Sequence, residues 1–326
     1  MVHTAEFYII ITEEEANKIL FQISGINILR FDFGNIILKK ISLGSKIEWR
    51  LLVYVDFIIM LGKTDILESD INDVINKVNA KVYNILNRNY ELVLYRLDYR
   101  YDAIIESSKE RDVLIKLFNK NKIRVNYMRK IKKYKSSVRY YSKSRSDNIY
   151  DKEAERIAKK KEVKYFEKNV IRFEAQIKHE HLRYNKKKYG IAMKLQEYFT
   201  FEKYVKYMDK MIVSVLKTGD YYNLYNASKI IKNFDINEKD KKILIEFLKF
   251  TSLKRSLTAS YEKFGRYKYE KCINLLSIMD INPIIIPEKD RISFIKNPLK
   301  NLINQEFYKN KRSQWLYSWL FYFITL

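Results

Sequence analysis

Two short runs constrain this chain more than any other feature, because in each the side chains alternate with a period of two. In Arg96-Leu97-Asp98-Tyr99-Arg100-Tyr101-Asp102, Leu97, Tyr99 and Tyr101 fall on one side, and Arg96, Asp98, Arg100 and Asp102 on the other. In Ile171-Arg172-Phe173-Glu174-Ala175-Gln176-Ile177, Ile171, Phe173, Ala175 and Ile177 share one side, and Arg172, Glu174 and Gln176 the other. Such alternation suits a β-strand with one apolar and one polar face, and no helix. If the two strands lie in one sheet, Asp98 and Glu174 converge, and carboxylate oxygens are the ligands that Mg²⁺ or Mn²⁺ prefer. The plainer alternative is a pair of strands whose charged faces are simply solvated. Asp102 either joins the metal site or pairs with Arg100.

Around these runs the pattern predicts an α+β fold. Phe7–Thr12 and Trp49–Met60 are rich in Ile, Val and Tyr and read as strands, as does Leu92–Ala103. Ile71, Val74, Ile75, Val78, Val82 and Ile85 follow helical spacing over Ile71–Leu86, and Glu110–Phe118 reads as a short helix. Val138–Tyr141 and Asn148–Lys152 read as short strands. From about Ala192 the texture turns helical: Lys194–Leu216, Tyr221–Ile231, Glu238–Phe250, Ser252–Phe264 and Arg266–Met279, the last punctuated by Pro283 and Pro287. The expectation is a mixed or antiparallel N-terminal sheet with flanking helices over 1–190, then an all-helical region over 191–326. RYNKKKYG at 183–190 reads as a solvated connection, and with 7 Gly and 3 Pro long flexible linkers are not expected.

The single cysteine, Cys272, excludes an internal disulfide and a cysteine-based zinc cluster, and suits a reducing compartment. The N-terminus has no basic stretch before its apolar run, so no signal peptide is expected. Trp315–Leu326 is apolar but only about a dozen residues long, short of a membrane span, and is expected to pack as a final helix. A cytoplasmic, non-membrane protein follows as an expectation.

Charge narrows the partners. Lys and Arg number 63 against 39 Asp and Glu, a net +24, which favours polyanions and salt-dependent binding. A Lys-, Ile-, Asn- and Tyr-rich composition accounts for abundance but not for clustering. From Lys120 to Arg145 there are eleven basic residues and no acid, interleaved with Tyr127, Tyr134, Tyr140 and Tyr141. Basic groups can track phosphates while tyrosines stack on unpaired bases, so Arg129, Lys130, Lys132, Lys133, Lys135, Arg139, Lys143 and Arg145 are candidate DNA contacts. A second candidate is a helix-turn-helix from Lys254–Phe264, Gly265 and Arg266–Met279, with Arg266 and Lys268 toward a groove; a plain helical pair reads the sequence equally well.

For covalent chemistry the candidate is Tyr150 in IYDKEAE. A tyrosine can attack phosphorus, and Lys152, on the same face of an extended segment, can steady the charge that develops. His179-Glu180-His181 superficially matches a paired-histidine metal motif but has an acid, not an apolar residue, between its histidines. Ser142, Ser144 and Ser146 have no neighbouring histidine and suit a phosphate-binding loop better than a nucleophile. There is no GxxxxGK[ST] loop, so ATP-driven strand separation would fall to another protein.

Taken in order, RLDYRYD, IYDKEAE and VIRFEAQIK, with Ile273–Pro283, Ile286-Pro287 and Phe294–Leu299 behind them, resemble the phage and plasmid replication proteins of the gene II/X family, and more distantly the Rep_trans-type plasmid initiators. The resemblance covers about residues 90–300. It implies a rolling-circle initiator that nicks one strand at a double-stranded origin, keeps the 5′ end on a tyrosine and later religates it. It further implies a divalent metal (Mg²⁺ or Mn²⁺) and a host polymerase that extends the 3′-OH; the missing ATP loop adds a host helicase as an expected partner, and the helix-turn-helix reading would suit a homodimer on a repeated origin site. By motif match, Asp98 and Glu174 are the metal ligands, Tyr150 the nucleophile, and Lys152 and Arg172 the groups at the phosphate. Tyr140 or Tyr141 is the alternative nucleophile, since RYYSK also resembles the strand before the family's tyrosine motif.

Overall fold

The computed structural model describes residues 1–22, 28–120, 130–254 and 256–303. Its fold is α+β: a nine-stranded antiparallel sheet with helices, then a helical C-terminal region. The strands are Val2–Ile11 (β1), Ile28–Phe31 (β2), Gly34–Leu43 (β3), Lys46–Asp56 (β4), Val93–Ile104 (β5), Lys130–Tyr134 (β6), Ser137–Tyr141 (β7), Arg145–Asp151 (β8) and Val170–Lys178 (β9). Their order is β2-β3-β4-β1-β5-β9-β8-β7-β6, so the two alternating runs are neighbours. The main helices are Glu13–Gln22 (α1), Phe57–Leu61 (α2), Ile71–Leu86 (α3), Ser108–Phe118 (α4), Lys152–Ala158 (α5), His179–Tyr189 (α6), Phe201–Met208 (α7), Ser214–Leu216 (α8), Leu224–Asn233 (α9), Glu238–Lys254 (α10) and Leu257–Ile278 (α11).

The chain divides into two compact units, one of 1–100, 141–147 and 174–208, the other of 101–140, 148–173 and 209–326. They interleave along the sequence rather than meeting at the expected boundary near residue 190. In the first unit, the apolar side of β1, β4 and β5 buries Ala5, Phe7, Val53, Val55, Leu97 and Tyr99. The helix α3 forms over the predicted span and buries Val74, Val78 and Val82, the stripe its spacing implies. Tyr99 stacks on Tyr207 at 5.4 Å and donates to the carbonyl of Tyr198 at 2.7 Å.

In the second unit, α4 buries Leu114, Leu117 and Phe118, and α10 packs against α11. Phe247 of α10 meets Phe264 and Tyr269 at 5.3 and 5.9 Å. The predicted turn at Gly265 is there as a sharp kink inside α11, with φ 72° and ψ 164°, a backbone conformation that glycine adopts without strain.

Three expectations give way. The strand expected through Met60 stops at Asp56, whose carboxylate accepts from the N–H groups of Ile58 and Ile59 and starts α2. The expected connection 183–190 is helical almost throughout, as part of α6, because Leu182 and Asn185 bury one side of a run that looks wholly polar. The long helix expected over 194–216 breaks into α7, a wider turn over Asp209–Val213, and α8. The tail 315–326 lies outside the described residues. No helix among the described residues is long and apolar enough to cross a membrane.

Candidate functional site

The first unit assembles a polar sheet face by register. Thr4 on β1 stands opposite Asp56 on β4 and Asp98 on β5; two residues on, Glu6 stands opposite Tyr54 and Arg96. Two irregularities in the β1–β5 ladder add residues to that face. The shift between Val2 and Thr4 makes His3 the extra residue of β1, and the shift between Glu6 and Phe7 makes Tyr95 the extra residue of β5. The His3 ring then lies with Nε2 3.9 Å from Asp56 Oδ2 and Nδ1 3.7 Å from Glu174 Oε1. Tyr95 lies edge-on to Tyr8 at 6.0 Å and stacks on His179 at 4.8 Å, with Arg50 over Tyr8 at 4.7 Å.

Four carboxylates thus share this face, Glu6, Asp56, Asp98 and Glu174, with Arg96 and His3 among them. Asp98 is 5% exposed and Glu174 9%. Thr4 Oγ1 donates to Asp98 Oδ2 at 2.6 Å, and Arg96 donates to both Asp98 oxygens at 3.1 Å and to Glu6. Burial, with the carboxylate of Asp56 next, pushes the Tyr54 phenol far up; Asp98 and Glu174 add to it while Arg96 opposes. Burial also raises the Glu6 carboxyl above its ordinary value, against the pull of Arg96. Hard oxygens with an imidazole beside them are a donor set that fits Mg²⁺ or Mn²⁺. Among the described residues, however, no three His, Cys, Asp or Glu side chains already stand close enough to hold an ion. Both Asp98 oxygens already accept hydrogen bonds, so an ion bound there competes with Arg96 and Thr4.

The other predicted residues fall in the second unit, in a different setting. Asp102 pairs with Arg172 rather than with Arg100: both its oxygens accept from Arg172, at 2.8 Å from Nε and 2.9 Å from Nη2. This bidentate pair also corrects the role expected of Arg172, which is 1% exposed and committed to Asp102. Lys152 does not continue the extended segment of Tyr150. Asp151 accepts from the Ala154 N–H and caps α5, so Lys152 opens a helix. Its ammonium sits 2.8 Å from Glu155, 3.7 Å from Glu167 and 5.7 Å from the Tyr150 ring centroid. Burial draws the Lys152 amine below its ordinary value, although Glu155 opposes this. Tyr150 is half-buried. Tyr140, the alternative nucleophile, is buried and its hydroxyl donates to the Phe118 carbonyl; Tyr141 is half-buried.

Of the predicted DNA contacts, Lys132, Lys133, Lys135, Arg139, Lys143, Arg266 and Lys268 are exposed. Arg129 lies outside the described residues, and Lys130 is described only as a residue of β6. Arg145 turns inward, its Nη2 3.2 Å from Nδ1 of the His181 ring, so it is placed for packing rather than for a phosphate. Arg266 Nε donates to Glu270 at 3.0 Å. His179 and His181 part company: one stacks on Tyr95, and the other is buried 2.9 Å from the Tyr207 hydroxyl. They do not form a paired metal site.

Reading the sequence missed His3, Thr4, Glu6, Tyr54 and Asp56. Alternation in VHTAEFYIII puts Thr4 and Glu6 on a polar side, which was a usable signal. His3 joins them only through the ladder irregularity, which leaves no mark in composition or period. Compared with protein-family models and with curated proteins, the chain matches none.

Proposed function

We propose that this chain is a DNA-nicking and strand-transfer enzyme that starts rolling-circle replication. The observation that carries the reading is the acid-rich face: four carboxylates gathered at partly to fully buried positions in a chain of net charge +24. Carboxylates repel a nucleic acid unless a cation lies between them. Asp98 and Glu174 would hold the divalent ion, with His3 between Glu174 and Asp56. When bound, the ion would neutralise charge on the scissile phosphate. Tyr150 is the proposed nucleophile: its phenolic oxygen attacks phosphorus, the 3′ oxygen leaves, and a 5′-phosphotyrosine remains until that 3′ oxygen returns. Lys152 keeps a cation beside the Tyr150 ring, 5.7 Å from its centroid. Arg172 acts by fixing Asp102 rather than by touching phosphate.

A second reading, a DNA-binding replication protein of the same fold without catalysis, draws on the engagement of Arg172 with Asp102 and of Lys152 with Glu155. One experiment separates the two. The protein is mixed with labelled single-stranded oligonucleotides tiled from the DNA flanking its gene, with Mn²⁺, and run on a denaturing gel beside Tyr150→Phe and EDTA controls. A band retarded by the protein's mass and absent from both controls supports the nickase and its nucleophile together. An adduct that survives Tyr150→Phe moves the nucleophile, with Tyr141 next. DNA binding with no adduct on any oligonucleotide supports the second reading.

A further inference from the structure

By its sequence the basic run suits a single strand, with tyrosines stacking on unpaired bases. Its described part is instead a hairpin of β6 and β7 at the end of the sheet, with β6 the edge strand. Lys132, Lys133, Tyr134, Lys135 and Arg139 are exposed, Tyr134 to 57%. Val138 and Tyr140 are buried, and the Tyr140 hydroxyl donates to the Phe118 carbonyl, so the inner strand is anchored while the outer one is presented. We propose that this hairpin is a two-stranded ribbon that enters the major groove of duplex DNA. The proposal rests on the reading that the partner is DNA.

Three observations favour it. A single-strand site needs a row of exposed aromatics for successive bases. Among the described residues of the hairpin only Tyr134 is an exposed aromatic. The B-DNA major groove, about 12 Å wide, admits a two-stranded ribbon, and the minor groove, about 6 Å wide, does not. Lysines on an edge strand can simply deter edge-to-edge pairing of sheets. That accounts for Lys132 and Lys133, but not for Arg139, which sits on an inner strand with a neighbour on either side.

The test measures binding of the full chain to a short duplex and to a single strand of the same sequence across a salt series, without added metal. The quadruple variant Lys132→Ala, Lys133→Ala, Lys135→Ala, Arg139→Ala is compared with the parent, with thermal melting of both as a check on folding. Duplex affinity is expected to fall about 100-fold. The slope of log affinity against log salt should become shallower by about 0.9 for each phosphate no longer neutralised. Single-strand affinity should fall much less. Methylation interference on the parent protein is the second measurement, and needs no variant to fold. Modification at guanine N7, in the major groove, is expected to block binding, and at adenine N3, in the minor groove, to leave it intact. An unchanged duplex affinity, an equal loss on duplex and single strand, or interference at adenine N3 alone overturns the proposal. Failure here stays distinct from failure of the nickase reading, which shows as an absent covalent adduct on single-stranded DNA whatever the hairpin does.

Discussion

On the face built by β4, β1, β5 and β9, Glu6, Asp56, Asp98 and Glu174 gather around Arg96 and His3. In one cluster of the second unit the charges balance. Asp102, Asp151, Glu153, Glu155 and Glu167 meet Arg172, Arg111, Arg156, Lys152 and Lys159, five acids against five cations. Despite burial, Lys152 and Lys159 bring the Glu155 carboxyl down to about 2. Arg111 alone reaches Asp151, Glu153, Asn169 and the carbonyls of Ile105 and Glu106. Both regions are polar and each has buried charges at its centre, Asp98 in one and Arg172 in the other. One pairs each acid with a cation and reads as structural; the other gathers four acids around one guanidinium and one imidazole, an arrangement that a ligand of opposite charge can use.

The sharpest way to break this contrast is Arg111→Ala. It strips five hydrogen-bonding partners of a buried cation and leaves Asp151 uncompensated, so a loss of about 3–5 kcal/mol is expected in urea unfolding. A loss below about 1 kcal/mol would mean that the balanced network does not hold the second unit together. Next comes the metal: Mn²⁺ at about a hundredfold over its dissociation constant should stabilise the native protein by about 2.7 kcal/mol, read as an upward shift of the thermal midpoint. Asp98→Asn should abolish the shift. An unmoved midpoint in the parent would show that the acid excess is tolerated without a cation.

Asp147 sharpens the comparison from a third direction, as a lone acid. It is 1% exposed, and both its oxygens lack a hydrogen-bond partner. Burial holds its carboxyl well above the ordinary value, against Arg145 and Lys178. The folded state therefore keeps this proton to higher pH than the unfolded state does. The contribution is fully present below the ordinary carboxyl pKa and is lost as pH rises through the folded value. Asp147→Asn, which carries no charge to bury, should be more stable than the parent at alkaline pH, by about 1–3 kcal/mol, with the gap closing in acid. Equal pH dependence of the two melting curves would rule out Asp147 as the group responsible. The smallest effect is expected at Glu174→Gln. Without metal it removes one of four gathered acids and forfeits the contact with His3, two effects of opposite sign, so stability should move by no more than about 1 kcal/mol in denaturant titrations. A loss of several kcal/mol would place Glu174 with the structural acids of the second unit.

How much of this was legible in the sequence differs from residue to residue. Periodicity over 71–86 marked α3 and its buried stripe, since three apolar residues per two turns suffice to define a helix face. Alternation marked β5 and β9 and the side on which Asp98 and Glu174 lie. It could not show that this polar side is covered, because burial depends on what other segments pack there. The strands β2 and β3 were missed, and so was α6, whose few buried residues sit among lysines and arginines. At 57–61 an apolar run that looks like strand becomes helix because Asp56 caps it, one side chain outweighing local propensity.

The sequence by itself determined the fold class, the pairing of polar with apolar faces on two strands, the kink at Gly265 and a net charge suited to a polyanion. Each rests on local chemistry: period, backbone freedom and the count of ionised groups. Only the tertiary structure decided which acids have cations. Thr4 meets Asp98 across 94 positions and Arg172 meets Asp102 across 70. Such partnerships depend on strand order and register, and a shift of one residue in the ladder is enough to bring His3 against Glu174.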